Sequence, residues 1–435
     1  MVWCTSPLRA ALVLGLLGSA AIAESDAKTD KFPKGGSSDG LAYEQIQKKE
    51  VYTENATSTG HTNIPKVPPV DGWWYSKICT GAYCVFTNRK LANGRGLVMV
   101  TKMEEYQKIE RTEEHFNKAD NKYEEPIPWA ETEIVDKGPG ITATKNLRRG
   151  KALMSWTPVL AVSKDLFADL RRKDRTRLLE IAVSYLPDAT RERFDRQRRP
   201  QGLSKKERTV EQIILAAPFE FDLGYNWNPD VNSKHYLNYP EVDVFTHDCR
   251  PNVAWHIDGD LTFKATVARR IQAGDELTIA YVDPFVPREE RTEWVRKHRG
   301  LGKPCPCQAC SPGGGKEEEI KKADERWQEL LEIQGELKNH ESKNITPQKI
   351  QRFLDLVDQE KLNVKLADAY ENAALNYNYL GMDRLAKKYA DLAVQAAMVE
   401  EGTGANNVIA LRIMAGDIKG HYSYQYTLKR QGKVK

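Results

Sequence analysis

Three cysteines fall within six residues, Cys305-Pro306-Cys307-Gln308-Ala309-Cys310, and they constrain the fold of this chain more than any other feature. The C-x-C-x-x-C run gathers three sulfurs at one point, and zinc takes four thiolate or imidazole ligands in a tetrahedron. The competing chemistry is oxidation. A Cys305–Cys307 disulfide would close a very small, strained ring, which favours a metal for this run. Seven cysteines in 435 residues exclude a disulfide-stapled scaffold.

The N-terminus reads as a cleaved secretory leader, residues 1–23. Arg9 supplies the positive charge, Ala10–Gly18 the apolar stretch, and Ala21-Ile22-Ala23 the small residues of a cleavage site. The mature chain then starts near Glu24 and enters an oxidising compartment, secreted or within the secretory pathway. Residues 24–70, rich in Lys, Asp, Ser, Gly and Pro, form a disordered linker that cannot bury enough apolar surface to fold. The linker carries the glycosylation sequon Asn55-Ala56-Thr57; a second, Asn344-Ile345-Thr346, is followed by Pro347, which hinders modification. The net charge of +4 is too small to imply a nucleic-acid partner. No apolar run reaches 18 residues, so no conventional membrane span is expected.

Dense structure begins at Gly72-Trp73-Trp74-Tyr75. Strand-like runs follow at 84–87, 96–100 and 151–154. Between 163 and 215, Leu166, Phe167, Leu170, Leu178, Leu179 and Ile181 recur at helical spacing. Strand-like runs return at 242–246, 253–257, 261–267 and 277–281, and past Gly315 the pattern is helical to the end. In that tail, Ala369, Tyr370, Ala373, Ala374 and Tyr377 share one face. Gly381 breaks the helix, and Leu385, Ala386, Tyr389, Leu392 and Ala393 line a second face. The pair is similar to one tetratricopeptide-type unit, with no clear second copy; a plain helical bundle reads the same residues.

The chemistry concentrates between Phe245 and Cys310. Thr246-His247-Asp248-Cys249-Arg250-Pro251-Asn252 is followed by Gly274-Asp275-Glu276-Leu277-Thr278-Ile279-Ala280-Tyr281 and then by the cysteine run. About a hundred residues upstream lies Lys137-Gly138-Pro139-Gly140-Ile141-Thr142-Ala143-Thr144. In this order the segments resemble the SET-domain lysine methyltransferases. The closest resemblance is to the SET-and-MYND type, in which a helical insertion splits the SET domain and a helical domain follows it. Within that group, fungal secreted relatives look most similar.

The resemblance implies an α+β fold of small β-sheets. The SET domain spans 71–285 with a helical insertion at about 163–225, followed by a zinc-bound segment at 286–311 and a helical domain at 316–435. It implies that Gly138, Gly140, Thr246 and His247 bind S-adenosyl-L-methionine, mainly through backbone, and that Tyr281 positions the substrate amine. It also makes Cys249 the fourth zinc ligand beside Cys305, Cys307 and Cys310. A disulfide from Cys249 to one of these would leave two odd thiols. Cys79 and Cys84 are too few for the MYND finger and form either a local disulfide or two separate buried thiols.

Two positions depart from the family. Its usual Asn-His pair is Thr246-His247 here, and threonine offers one hydroxyl where asparagine offers an amide donor and acceptor. The aromatic that usually walls the lysine channel is Leu301. The expected activity is methylation of lysine on a protein or peptide by a monomeric chain. Two other readings stand beside it, a catalytically weakened secreted binding module and a small-molecule methyltransferase. Residues 191–208 carry eight basic residues against three acidic, which reads as a solvated helix and loop.

Overall fold

The computed structural model describes residues 72–110, 121–135, 137–197, 209–223, 233–298, 305–342 and 344–434. The leader, the linker with Asn55, Leu301 and most of the basic run at 198–208 lie outside the described residues.

The first hairpin joins β1 (Trp74–Thr80) to β2 (Tyr83–Asn88), and Cys79 and Cys84 form a disulfide across it. Next come β3 (Leu97–Thr101), the short helix α1 (Met103–Glu110), β4 (Lys122–Tyr123), and the hairpin of β5 (Trp129–Ile134) and β6 (Gly138–Ala143). Two further strands, β7 (Ala152–Trp156) and β8 (Leu160–Ser163), precede the helical insertion. A six-stranded sheet runs β1-β2-β3-β8 and continues into two strands that follow the helices of the insertion, β10 (Lys234–Asn238) and then β9 (Phe219–Asp222) at the edge.

Every residue of β2 and β3 is buried, which requires cover on both faces. The pleat shares the cover out. Phe86, Leu97 and Met99 point into the core that also contains Tyr281, whereas Val85, Val98 and Val100 point to the insertion. There they meet α2 (Arg172–Ser184) through Leu178, Leu179 and Ala182, α3 (Asp188–Arg196) through Phe194, and α4 (Val210–Ala216) through Ile213 and Ile214. Thr209 and Gln212 close a capping box on α4, each side chain bonding the other's backbone N–H.

A second sheet has the order β12-β13-β7-β4, with β12 at Val253–Ile257 and β13 at Phe263–Val267. The strand expected at 242–246 is instead a 3₁₀ turn, Pro240–Val244, followed by the two-residue strand β11 (Thr246–His247). Pro240 cannot donate to a ladder and starts the turn, which directs its carbonyls inward. β11 pairs in parallel with β14 (Thr278–Ile279).

Helix α5 (Arg288–His298) leads into the cysteine segment. Five longer helices follow: α6 (Glu317–Lys338), α7 (Pro347–Gln359), α8 (Leu366–Tyr379), α9 (Asp383–Glu400) and α10 (Asn406–Gly416). Each packs on its successor. The tight α8–α9 pair matches the small-residue stripes: Ala373, Ala374, Ala386 and Ala390 are buried, the Tyr377 and Tyr389 rings stack at 5.4 Å, and Gly381 turns the chain with φ +68°. Among the described residues no helix is long and apolar enough to cross a membrane.

One tie between the helices and the sheets is the buried Glu400 side chain. Glu400 accepts from the backbone N–H groups of Leu366 and Ala367, capping α8, and pairs with Arg149 at 3.3 Å. Arg149, from the loop before β7, also donates to the carbonyls of Ala268 and Asn363, so one guanidinium spans both units. Nearby, Gly402 packs directly against the His256 ring on β12, where a Cβ would lie 2.6 Å from Nε2.

Burial pushes the Glu400 carboxyl up to about 8 against the opposing pull of Arg149 and the Ala367 N–H, and Asp368 adds to the rise. Between the ordinary value of 4.5 and about 8 the native state holds a proton that the unfolded chain has released. The stability from this group is therefore complete below pH 4.5 and is lost as pH rises through 8. In denaturant titrations at pH 5 and pH 9, wild type should lose on the order of 3 kcal/mol more than Glu400→Gln.

Candidate active site and cysteine centre

Three segments distant in sequence meet at β11. The β5–β6 hairpin turns at Gly138, whose φ of +79° suits glycine. At Gly140 the requirement is space. A Cβ there would lie 2.6 Å from Ile134 Cγ1 and 2.9 Å from Thr246 Cγ2, so the hairpin backbone lies directly against Thr246. The third segment brings Glu276 alongside β6, where the Leu277 N–H donates to the Ile141 carbonyl at 2.9 Å.

The polar centre of this junction is Glu276. Its carboxylate accepts from the Thr246 hydroxyl and pairs with Lys137 Nζ, at 3.0 Å on Oε1 and 2.9 Å on Oε2. Both side chains are largely enclosed. Thr246 is thus drawn to Glu276, and Lys137 adds a cation at the mouth of the glycine loop. The sequence reading assigned neither Lys137 nor Glu276 to the site. Their signal was adjacency to Gly138 and to the Tyr281 strand, but nothing in the spacing links residues 139 positions apart.

Tyr281 is buried, and its hydroxyl lies 3.4 Å from the carbonyls of both Val242 and Phe245, the first of them in the 3₁₀ turn. Its backbone N–H donates to His247 Nδ1 at 3.1 Å. With Nδ1 accepting, a neutral His247 ring carries its proton on Nε2, which faces Cys249 Sγ at 3.2 Å. One imidazole therefore fixes the Tyr281 backbone against the cysteine centre. Around the tyrosine ring, Phe219 lies 5.8 Å away, and Phe219 in turn meets Trp255 at 5.1 Å and Tyr239 at 5.7 Å. Trp255 donates from its indole to the Ala280 carbonyl. These aromatics come from β9, β12 and the segment before the turn, and the sequence reading missed them as site residues. An aromatic in a strand looks the same whether it fills a core or walls a channel.

Cys249, Cys305, Cys307 and Cys310 are brought together as expected. All four are buried, with Sγ atoms within 4.8 Å of one another and Cys249 and Cys310 at 3.5 Å. Tetrahedral zinc with Zn–S near 2.3 Å places its sulfurs about 3.8 Å apart, so the set fits that ion with modest contraction. Mutual hydrogen bonding and burial hold the Cys249 thiol well above its ordinary value, while bonds from Cys249 and Cys305 lower Cys307 to about 6. A divalent cation is the group that lets all four sulfurs ionise together.

His247→Ala removes the ring that braces Cys249 from behind. Metal affinity should fall by about 10- to 100-fold in competition with a chromophoric chelator, with the circular dichroism spectrum retained.

Residues 138–282 match the family model described as SET domain. The chain is 33% identical over 95 residues to the histone-lysine N-methyltransferase SMYD3 of Mus musculus, covering 22% of this chain and 21% of that protein. It is 35% identical over 78 residues to the N-lysine methyltransferase SMYD2-A of Xenopus laevis, covering 17% and 16%. A SET and MYND domain-containing protein of Dictyostelium discoideum is 38% identical over 56 residues, covering 13% and 11%. The chain thus matches about a fifth or less of these relatives' length. Among solved structures, Rubisco LSMT bound to AdoMet aligns over 76% of this chain and 97% of that one, at 13% identity and a TM-score of 0.26. That likeness is too slight to bear on the site. The family match and the segments gathered around β11 agree: residues 138–282 form a SET domain, in a chain related at low identity to the SET-and-MYND methyltransferases.

Proposed function

We propose that this chain transfers a methyl group from S-adenosyl-L-methionine to the side-chain amine of a protein lysine. The observation that carries the reading is Tyr281, whose hydroxyl sits beside two inward carbonyls at the edge of an aromatic cluster and next to the glycine-loop junction. When bound, the cofactor supplies an electrophilic methyl on a sulfonium. Gly138 and Gly140 would let the hairpin backbone approach it closely, and Thr246 and His247 lie on the adjoining strand. Lys137 and Glu276 form an ion pair that complements the two charges of an α-amino acid.

The amine has to arrive without its proton. At pH 7 a free lysine lies about 3.4 units below its pKa, a cost of about 4.6 kcal/mol. Phe219 and Trp255 offer apolar walls that disfavour the ammonium and reduce this cost. The Tyr281 hydroxyl and the carbonyls of Val242 and Phe245 then orient the lone pair. At the cysteine centre the four thiolates would hold zinc, which closes the segment after α5 onto the SET core.

The alternative of a catalytically weakened binding module draws on the bond between Thr246 and Glu276, which occupies the one hydroxyl this position offers. Calorimetry with the cofactor and mass spectrometry of lysine peptide libraries decide between them. Tyr281→Phe should leave cofactor affinity unchanged and lower turnover at least about tenfold. Thr246→Asn should raise affinity about tenfold, or about 1.4 kcal/mol. No cofactor binding by wild type or Thr246→Asn, with no methylated product, overturns the enzyme reading in favour of the module.

Secretory routing belongs to the same proposal, supported by the leader sequence and the Cys79–Cys84 disulfide. Intact mass of native protein should place the N-terminus near Glu24 and show a glycan on Asn55. Retention of residues 1–23, with no mass change on deglycosylation, excludes this routing.

A further inference from the structure

Trp327, on the first long helix after the cysteine segment, is buried against two guanidiniums. Arg250 Cζ lies 4.7 Å from the ring centroid and Arg291 Cζ 5.3 Å from it. Both arginines belong to the neighbourhood of the cysteine centre. Arg250 follows Cys249 directly and donates to its carbonyl at 2.9 Å. Arg291, on α5, is 2% exposed, donates to the Val286 carbonyl and lies within electrostatic reach of the Cys249 and Cys310 sulfurs.

Two buried cations side by side repel each other, and their protein counter-charge is sparse. Glu360 pairs with Arg250 at 3.2 Å but also holds Arg326 at 2.9 Å. The cysteine centre supplies what is missing. A divalent ion held by four thiolates carries a net charge of −2, which matches Arg250 and Arg291 together. The ion would also fix the four sulfurs, which lie within 4.8 Å of one another, and with them the backbone of Cys249 to which Arg250 is tied. An indole between such cations gains from cation–π attraction, provided the cations themselves are tolerated there.

The remaining ties on this end of α6 come from the same neighbourhood. Arg288 of α5 holds Asp324 through two bonds of 2.9 Å, and the Phe285 ring lies 5.8 Å from Trp327. By contrast, the far end of the helical array is held by Arg149, Glu400 and the Gly402–His256 contact, none of which touches a cysteine.

We propose that metal loading of the four-cysteine centre controls docking of α6 through the Arg250–Trp327–Arg291 cluster, so that the ion fixes the near end of the C-terminal helices as well as its own loop. The inference rests on the reading of the cysteine cluster as a metal centre, and the experiment separates the two.

Full-length protein is assayed for bound metal by elemental analysis, then followed by hydrogen–deuterium exchange with and without metal. Removal of the metal should speed exchange across 317–338 at least about tenfold, while 383–400 keeps its protection. In the loaded protein, Arg291→Gln should speed exchange over 317–338 and hasten metal transfer to a chelator by about tenfold, and Arg291→Lys should recover part of the transfer rate. Trp327→Leu should loosen 317–338 without releasing metal. A protein that binds metal yet exchanges identically over 317–338 without it overturns the coupling and leaves the metal centre standing. Uniform acceleration over the whole chain also overturns it, because that is global unfolding. A protein that binds no metal overturns both.

Discussion

The site depends on a parallel pairing only two residues long. Thr246 lies opposite Thr278 and His247 opposite Ile279. So short a ladder has little strength of its own, and the Asn252 side chain reinforces it. Its amide donates to the Glu276 carbonyl at 2.7 Å while its oxygen accepts from the Thr278 N–H at 2.9 Å, acting as an extra peptide unit along the strand. This pairing sets the Thr246 hydroxyl against Glu276, the His247 ring against the Tyr281 backbone, and Cys249 within reach of the tail cysteines. Displacing β11 would disturb the glycine-loop junction, the tyrosine and the cysteine centre together.

Much of this was legible from the residues, and the parts that were not share a physical cause. The family resemblance assigned Gly138, Gly140, Thr246, His247 and Tyr281 to one site and Cys249 to the tail cysteines, and the structure brings those four cysteines together. Local spacing sufficed where chemistry is dictated by residue type, as in thiol clusters, and where periodicity is strong, as in the alanine stripes of α8 and α9. It failed at 242–246, where Val242, Val244 and Phe245 look like strand residues and the tertiary environment favours a 3₁₀ turn. It also could not assign Phe219 or the Lys137–Glu276 pair to the site, because partner choice across 60 or more residues is settled by packing. The Arg149–Glu400 tie lay beyond it for the same reason.

Cysteine plays two opposed roles in one chain. Cys79 and Cys84 sit on the first hairpin as a disulfide, whereas the other four described cysteines are buried thiols with their sulfurs within 4.8 Å of one another. The two chemistries coexist because the second set is enclosed by α5 and the SET core, where an oxidant has little access, and an ion holding all four sulfurs would remove them from exchange. The hairpin cysteines are paired within five residues of each other and need no such protection.

The division of β2 and β3 between two cores bears on how this molecule can vary. Because Val85, Val98 and Val100 turn their side chains to the insertion, those helices form the rear wall of the sheet whose other face supports Tyr281. Trimmed of residues 166–216, the same sheet would present a bare valine surface to water. The insertion can therefore drift in sequence on its outer side, but its inner side is bound to the sheet by Leu178, Leu179, Ala182, Phe194, Ile213 and Ile214.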